Sequence, residues 1–106
     1  MDEFYLYKFS DVERHALNLV VRRLLEDRAV ATSTLLKAMS GLRLESHGNR
    51  KIRLSQSKRL IWVFHKQGII TCLHGKVRLG NILLYSGILD EESRNILIRK
   101  LGSLHA

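Results

Sequence analysis

The strongest constraint on the fold lies between residues 10 and 27, where a helix-start signal precedes a long apolar pattern. The run Ser10-Asp11-Val12-Glu13 fits a capping box, in which the serine hydroxyl accepts from the Glu13 amide and the glutamate reaches back. Seven apolar residues then recur at helical spacing on one broad face: Val12, Ala16, Leu17, Val20, Val21, Leu24 and Leu25. We therefore predict a helix from residue 11 to about Asp27. A chain of 106 residues has room for one domain with one modest core, and this face would form part of it.

The rest of the chain mixes helical and alternating patterns, separated by glycine-containing turns. The predicted elements are a short connector at 28–31, a second helix at 34–39 capped by Thr32 or Ser33, a third helix at 56–67 capped by Ser55 and ended by Gly68, strands at 69–73 and 76–79 around a His74-Gly75 turn, and a last helix at 90–104. Residues 1–9 are an N-terminal arm or a strand, and 42–54 are a β-hairpin or a loop. Residues 82–85 fit a strand or a helix equally well. We predict one α+β domain, mostly helical, spanning residues 1–106.

Charge is concentrated in the middle of the chain. Residues 41–80 carry nine lysines and arginines against the single acid Glu45, which equals the whole net charge of +8. The segments 1–40 and 81–106 each sum to zero. Clustered cations gain from counterion release on a polyanion, so this segment predicts a nucleic-acid-facing surface. The alternative is a solvated basic face without a ligand.

The third predicted helix separates an apolar side from a basic side. At 100° per residue, Leu60, Ile61, Val63 and Phe64 share one arc, and the opposite arc holds Ser55, Lys58, Arg59, Trp62, His65 and Lys66. Such donors suit phosphate oxygens and base acceptors. Trp62 would stack on a base or a sugar, or anchor a partner protein. We favour a third interpretation, in which it leans on the neighbouring loop or hairpin and is partly buried.

This order of elements resembles the winged helix-turn-helix family over about residues 10–79. The most specific stretch is residues 55–70, SQSKRLIWVFHKQGII, which is similar to the recognition helix and its exit into the wing. The resemblance implies that Ser55, Gln56, Lys58, Arg59 and Trp62 face the major groove or its walls. It also implies that Lys76 and Arg78 belong to the wing and meet backbone phosphate or the minor groove.

One departure from the family lies between the second and third helices. The family joins them by a tight turn, whereas about thirteen residues intervene here. Either a basic insertion adds contacts through Arg43, Arg50, Lys51 and Arg53, or the second helix ends elsewhere. With Lys66, these residues complete the predicted nucleic-acid-binding set.

No residue pattern predicts catalysis, a cofactor or a metal site. Glycine-rich phosphate loops are missing from the sequence, and the single cysteine, Cys72, pairs only with His74 at i, i+2. Cys72 is therefore interpreted as a small core residue.

No apolar run approaches the roughly 20 residues that span a bilayer, and MDEFYLYKF does not resemble a secretory signal. We predict an intracellular protein, cytoplasmic or nucleoid-associated, that has no membrane partner and is not an enzyme.

The last helix carries apolar residues that need a partner surface: Ile96, Leu97, Leu101 and Leu104. Either it folds back onto the first helix, or it pairs with its copy in a second subunit. We favour the homodimer, because an exposed apolar stripe would be a liability in a monomer.

The prediction is a winged helix-turn-helix protein with a small antiparallel wing and an extra C-terminal helix. Its predicted function is sequence-specific binding of double-stranded DNA in transcription regulation. Binding to RNA, or a protein-interaction module within a larger nucleic-acid-handling assembly, are the alternatives.

Overall fold

A computed structural model describes residues 8–44, 50–81, 87 and 89–105, with the backbone alone at 44, 50 and 101–105. These residues form an α+β fold, mostly helical, as predicted. In chain order the elements are α1 (Asp11–Glu26), β1 (Val30–Ala31), α2 (Thr32–Ser40), β2 (Arg43–Leu44), β3 (Arg50–Lys51), α3 (Leu54–Lys66), β4 (Ile70–Leu73), β5 (Lys76–Leu79) and α4 (Glu91–His105). No helix in the described ranges is long and apolar enough to cross a membrane. Residues 1–7 of the predicted N-terminal arm or strand (1–9) and the undecided segment 82–85 lie outside the described residues.

Helix α1 begins with the predicted capping box. The Ser10 hydroxyl accepts from the Glu13 amide at 3.2 Å, and the Glu13 carboxylate accepts from the Ser10 amide at 2.8 Å. Such a cap contributes about 1 kcal/mol to helix stability. Six of the seven predicted apolar residues are buried, and Val12 packs partly against the same core. The helix ends at Glu26, one residue before the predicted boundary, and forms the centre of the fold.

Two predicted helix starts are wrong, and both helices begin earlier. Helix α2 begins at Thr32 without a side-chain cap, because the amide and hydroxyl of Thr32 both donate to the Gly75 carbonyl oxygen, at 2.9 and 3.1 Å. Helix α3 begins at Leu54, with Arg53 at the cap position, and Ser55 lies in its first turn. It can begin there because Ile52, buried and bonded through its amide to the Leu42 carbonyl, already fixes the incoming chain.

The segment between α2 and α3 is a hairpin at its base. Arg43 pairs with Lys51 and Leu44 with Arg50 in an antiparallel ladder. Residues 45–49 lie outside the described part of the chain. The long connection is therefore paired at its base, and α2 does end close to its predicted boundary.

A three-stranded antiparallel sheet of order β1-β5-β4 lies beside the helices. Its β4–β5 hairpin turns at His74 and Gly75, whose φ angles of 52° and 72° match the predicted two-residue turn. Val30 and Ala31 of β1 pair with Val77 and Lys76 of β5. The second half of the predicted connector at 28–31 is thus a strand of the sheet, which joins the hairpin to the start of α2.

Helix α4 folds back onto α1 of the same chain, where Leu89 and Leu97 are buried. A polar cluster holds its first turn in place. The Asp90 carboxylate accepts from the Ser93 amide at 2.8 Å, the Asp90 amide donates to the Asn18 side chain at 2.9 Å, and the Arg22 Nε donates to the buried Ser93 hydroxyl at 2.9 Å. The Arg22 guanidinium also pairs with Asp90 and Glu92. Asp90 therefore caps α4 and links it to α1.

The charge state of Asp90 should make this attachment sensitive to acid. Partial burial alone would raise the pKa of Asp90, but bonds from Ser93 and the charge of Arg22 outweigh it and lower that pKa below its ordinary value of 3.8. A lowered carboxyl pKa stabilises the fold above the unfolded-state value, and this contribution is lost as the pH falls through the folded-state pKa. Asp90→Asn should thus lower the free energy of unfolding by up to about 1 kcal/mol at pH 7. Between pH 7 and pH 3 the variant should lose less stability than the wild type loses. Urea unfolding at both pH values tests this, with Asp27→Asn as the exposed control. An acid dependence equal to that of the wild type would contradict the role of Asp90.

Candidate nucleic-acid interface

The two sides of helix α3 differ as its spacing predicted. Leu60, Ile61, Val63 and Phe64 are buried and face the core, where the Phe64 ring packs 5.9 Å from that of Phe9. The predicted contact residues of α3 are all exposed: Ser55, Gln56, Lys58, Arg59, Trp62 and Lys66. The helix therefore presents an outer face of hydroxyl, amide, ammonium, guanidinium and indole groups. We call this set the α3 face.

Trp62 is more exposed than expected. Its exposed fraction is 58%, so the preferred interpretation of a partly buried ring is wrong. The buried side chains of α3 lie on the arc opposite Trp62, which leaves the indole on the solvent side. The Lys66 ammonium lies 4.8 Å from the centroid of its ring in a cation–π arrangement. The α3 face thus carries an aromatic surface among cations.

The β4–β5 hairpin has a second cationic face. Burial alternates along β5, so Val77 is buried while Lys76 and Arg78 are exposed. Cross-strand pairing sets Lys76 opposite Leu73 and Arg78 opposite Thr71, and both partners are exposed as well. These four residues form what we call the hairpin face. Lys76 and Arg78, the two predicted wing cations, therefore lie on the same exposed face of the hairpin.

The insertion supplies a third group of cations. Arg43 and Lys51 are cross-strand partners with exposed side chains, and the exposed Arg53 immediately precedes α3. Arg50 has a paired backbone, but its side chain is not among those described. The insertion thus places positive charge next to the first turn of α3.

Apart from Arg50, whose side chain is not described, the cations of 43–78 lack ionic partners among the described residues. The ion pairs identified among the described residues lie on α1, just after it and at the start of α4: Arg14 with Asp11 at 3.2 Å, Arg23 with Asp27 at 3.7 Å, and Arg22 with Asp90 and Glu92. The His15 ring also lies 3.8 Å from the Asp11 carboxylate. In the sequence, no acid occurs between Glu45 and Asp90. Positive charge on the α3 and hairpin faces is therefore uncompensated, whereas the α1–α4 side is internally neutralised.

Comparisons with protein-family models, with curated proteins and with solved structures found no match to this chain.

Cys72 lies in a position that disfavours reactivity. It is half-buried against the core, and burial raises the pKa of its thiol, so the nucleophilic thiolate is disfavoured at neutral pH. Within the ranges that the structure describes, no three His, Cys, Asp or Glu side chains gather where they could hold a metal ion. The Cys72–His74 pair therefore has no further ligands among those residues.

A separate groove of about 800 Å³ runs along α1, and sequence reasoning missed it. It is lined by Arg14, Asn18, Arg22, Ala38 and Leu42, among others. Its walls come from α1, the end of α2 and the start of α4, which only the tertiary fold brings together. Mixed charges line it, in contrast with the basic α3 face.

The predicted dimer residues are placed differently from one another. Leu97 is buried inside its own chain, so it is unavailable to a second copy, and Ile96 is half-buried against the same core. The side chains of Leu101 and Leu104 lie outside the described residues. Ile98, which was not in the predicted set, is 59% exposed on the outer side of α4.

Proposed function

We propose that this protein is a winged helix-turn-helix protein that binds double-stranded DNA and acts in transcription regulation. The observation that carries the proposal is the α3 face, where exposed donors surround Trp62 and no described acid neutralises them. The order of α1, β1, α2, α3 and hairpin supports the family assignment, as does the pairing of β1 with the hairpin. The family's tight turn is replaced here by the β2–β3 insertion.

In this proposal, phosphate neutralisation and base contacts come from different residues. Arg43, Lys51 and Arg53 from the insertion, with Lys76 and Arg78 from the hairpin, would neutralise phosphates and fix the orientation of α3. Ser55, Gln56, Lys58 and Arg59 would reach base edges in the major groove. Glutamine pairs well with adenine, and arginine or lysine pairs well with guanine. Trp62 would contribute apolar contact area within the groove.

Trp62 also makes the proposal directly testable, because it is the only tryptophan in the chain. Titration with a 20-base-pair duplex should change its fluorescence to saturation, because its environment on the α3 face changes on binding. Between 50 and 200 mM salt the affinity should fall on the order of 100-fold if only four phosphates are contacted. A Trp62→Phe variant, followed by anisotropy of labelled DNA, controls for optical artefacts.

The same titration separates the alternative functions. A stronger response to single strands or to RNA would redirect the proposal to those ligands. No binding to any nucleic acid at low salt would contradict it, and would favour a protein-interaction module that uses the 58% exposed Trp62 as an anchor.

The insertion should supply affinity without sequence preference. Neutralising Arg43, Arg50, Lys51 and Arg53 should reduce the slope of log affinity against log salt by roughly 0.9 per lost phosphate contact. Sequence preference, measured on two unrelated duplexes, should barely change. Substituting the exposed Arg28 and Lys37, which lie outside the basic segment, provides the control. An unchanged slope with lost preference would show that the insertion reads bases.

We also propose that the protein forms a homodimer, through the outer side of α4. Because Leu97 is buried in the core of its own chain, the exposed Ile98 is the apolar residue to test. Sedimentation at micromolar concentration should give twice 12.2 kDa, and Ile98→Asp should give 12.2 kDa. Leu54→Asp, which changes an exposed leucine on α3, should leave the mass unchanged. A wild-type monomer across that range would exclude the dimer.

A further inference from the structure

The tip of the β4–β5 hairpin carries an apolar side chain that the fold does not cover. Leu73 is the last residue of β4 and is 69% exposed, more than any other exposed large hydrophobic side chain among the described residues. Alternation explains why it points outward, since Ile70 and Cys72 occupy the inner face of β4. A single exposed leucine is ordinary on a protein surface, so its surroundings must decide whether it has a role.

The backbone beside Leu73 is held from two sides. His74 and Gly75 form a tight turn with positive φ angles, and the Gly75 carbonyl accepts two bonds from Thr32 at the start of α2. On the other strand, Lys76 pairs with Ala31 of β1. The leucine is therefore presented on a braced tip instead of a freely moving loop.

The neighbours of Leu73 indicate what it would meet. Its cross-strand partner is Lys76, and the next pair on the same face is Thr71 with Arg78. These two cations lack ion-pair partners among the described residues, so the surface favours a polyanion. Leu73 lies beside Lys76 at the tip, and Arg78 lies one cross-strand pair further along the same face. An apolar group at the end of a row of cations fits a ligand whose outside is anionic and whose interior is apolar. Duplex DNA, with phosphates outside and stacked bases inside, has this combination.

We propose that Leu73 is a wedge that the hairpin inserts between base pairs from the minor groove, which unstacks one step and bends the DNA. This inference rests on the proposed function and adds deformation of the duplex to it. Lys76 and Arg78 bind the phosphates that flank the opened step, and the braced turn resists the force on the side chain. Apolar wedges backed by cations open base steps in this way in architectural DNA-binding proteins.

A wedge makes binding depend on how easily the DNA unstacks. A duplex with a central two-base mismatch has already lost part of its stacking, so the full-length protein should bind it at least about fivefold more tightly than the matched duplex. Donor and acceptor dyes on the two ends should also report greater energy transfer in the complex, because bending brings the ends together. Neither measurement requires a known target sequence.

The decisive comparison is Leu73→Ala against Leu54→Ala. Leu73→Ala should reduce the preference for mismatched DNA below about twofold and abolish the rise in energy transfer, with an unchanged salt slope. Leu73→Met, which keeps a long apolar side chain, should retain both effects. Leu54→Ala removes another exposed leucine, which belongs to neither the hairpin face nor the proposed dimer surface, and should change neither.

The outcomes separate this inference from the proposed function. If Leu73→Ala keeps the preference and the bend while Trp62 fluorescence still reports salt-dependent duplex binding, the wedge is wrong and the proposed function stands. If the wild type binds duplex without bending it, the wedge is likewise wrong. If no duplex binds, both proposals fall together.

Discussion

Replacing Lys58 and Arg59 together with alanine is expected to weaken duplex binding at least about tenfold and to leave the thermal midpoint nearly unchanged. Both side chains are exposed on α3 and have no ion-pair partner among the described residues, so the fold loses little when they are removed. Each residue lost from the interface costs on the order of 1–3 kcal/mol if it reads a base, and less if it meets phosphate. Anisotropy with labelled duplex and thermal melting of each variant measure the two effects.

A matched control removes the same amount of charge elsewhere. Arg28 and Lys37 are exposed and lie outside the basic segment, so their double alanine variant should change affinity much less. Equal losses from both pairs would show that net charge, instead of the α3 face, determines binding. Unchanged affinity in a folded Lys58→Ala/Arg59→Ala protein would contradict the assignment of α3 to the groove.

The largest expected effect on stability comes from Gly80→Ala. A methyl group at Gly80 would lie within 3.0 Å of the Gly68 carbonyl oxygen and 3.2 Å from the carbonyl atoms of Ile69. The two chain segments cannot separate freely, because the Gly80 amide donates to Ile69 and the Asn81 amide donates to Gly68. Forced repacking should cost about 3 kcal/mol, which lowers the thermal midpoint by more than about 10 °C in a domain of this size.

Gly41→Ala is the control for this substitution. Gly41 has helical φ and ψ angles, and a methyl group there would make only ordinary contacts at 3.7 and 3.8 Å. Its thermal midpoint should therefore stay close to that of the wild type. If the thermal midpoint of Gly80→Ala were as high as that of Gly41→Ala, the close approach of residues 68–69 to residues 80–81 would be disproved.

Features that depend on near neighbours were predictable from the sequence. The capping box of α1 joins residues three apart, and the His74-Gly75 turn needs only its own backbone preferences. The division of α3 into buried and exposed arcs follows from helical spacing alone. For the same reason, most of the candidate site could be named before its surroundings were known.

Features that depend on distant contacts were not predictable. The start of α2 was misplaced because the partner of Thr32 is Gly75, 43 residues away. The attachment of α4 depends on Arg22 and Ser93, which are 71 residues apart, and it removes Leu97 from the predicted dimer surface. Helical spacing predicts which side of α3 carries Trp62, but it does not predict which residues pack around the ring. The expectation that Trp62 is partly covered was wrong for this reason. The exposure of Leu73 likewise required knowing which side of the hairpin packs on the core.

The segregation of charged residues gives the molecule an electric dipole. Negative side chains belong to α1 and the beginning of α4, while unpaired positive ones belong to α3, the hairpin and the insertion. In the field of a polyanion such a dipole experiences a torque before contact, which turns the basic side forward during diffusional encounter. If the protein binds DNA as proposed, this rotation would make productive collisions more frequent, and added salt would slow association by screening the rotation as well as the attraction.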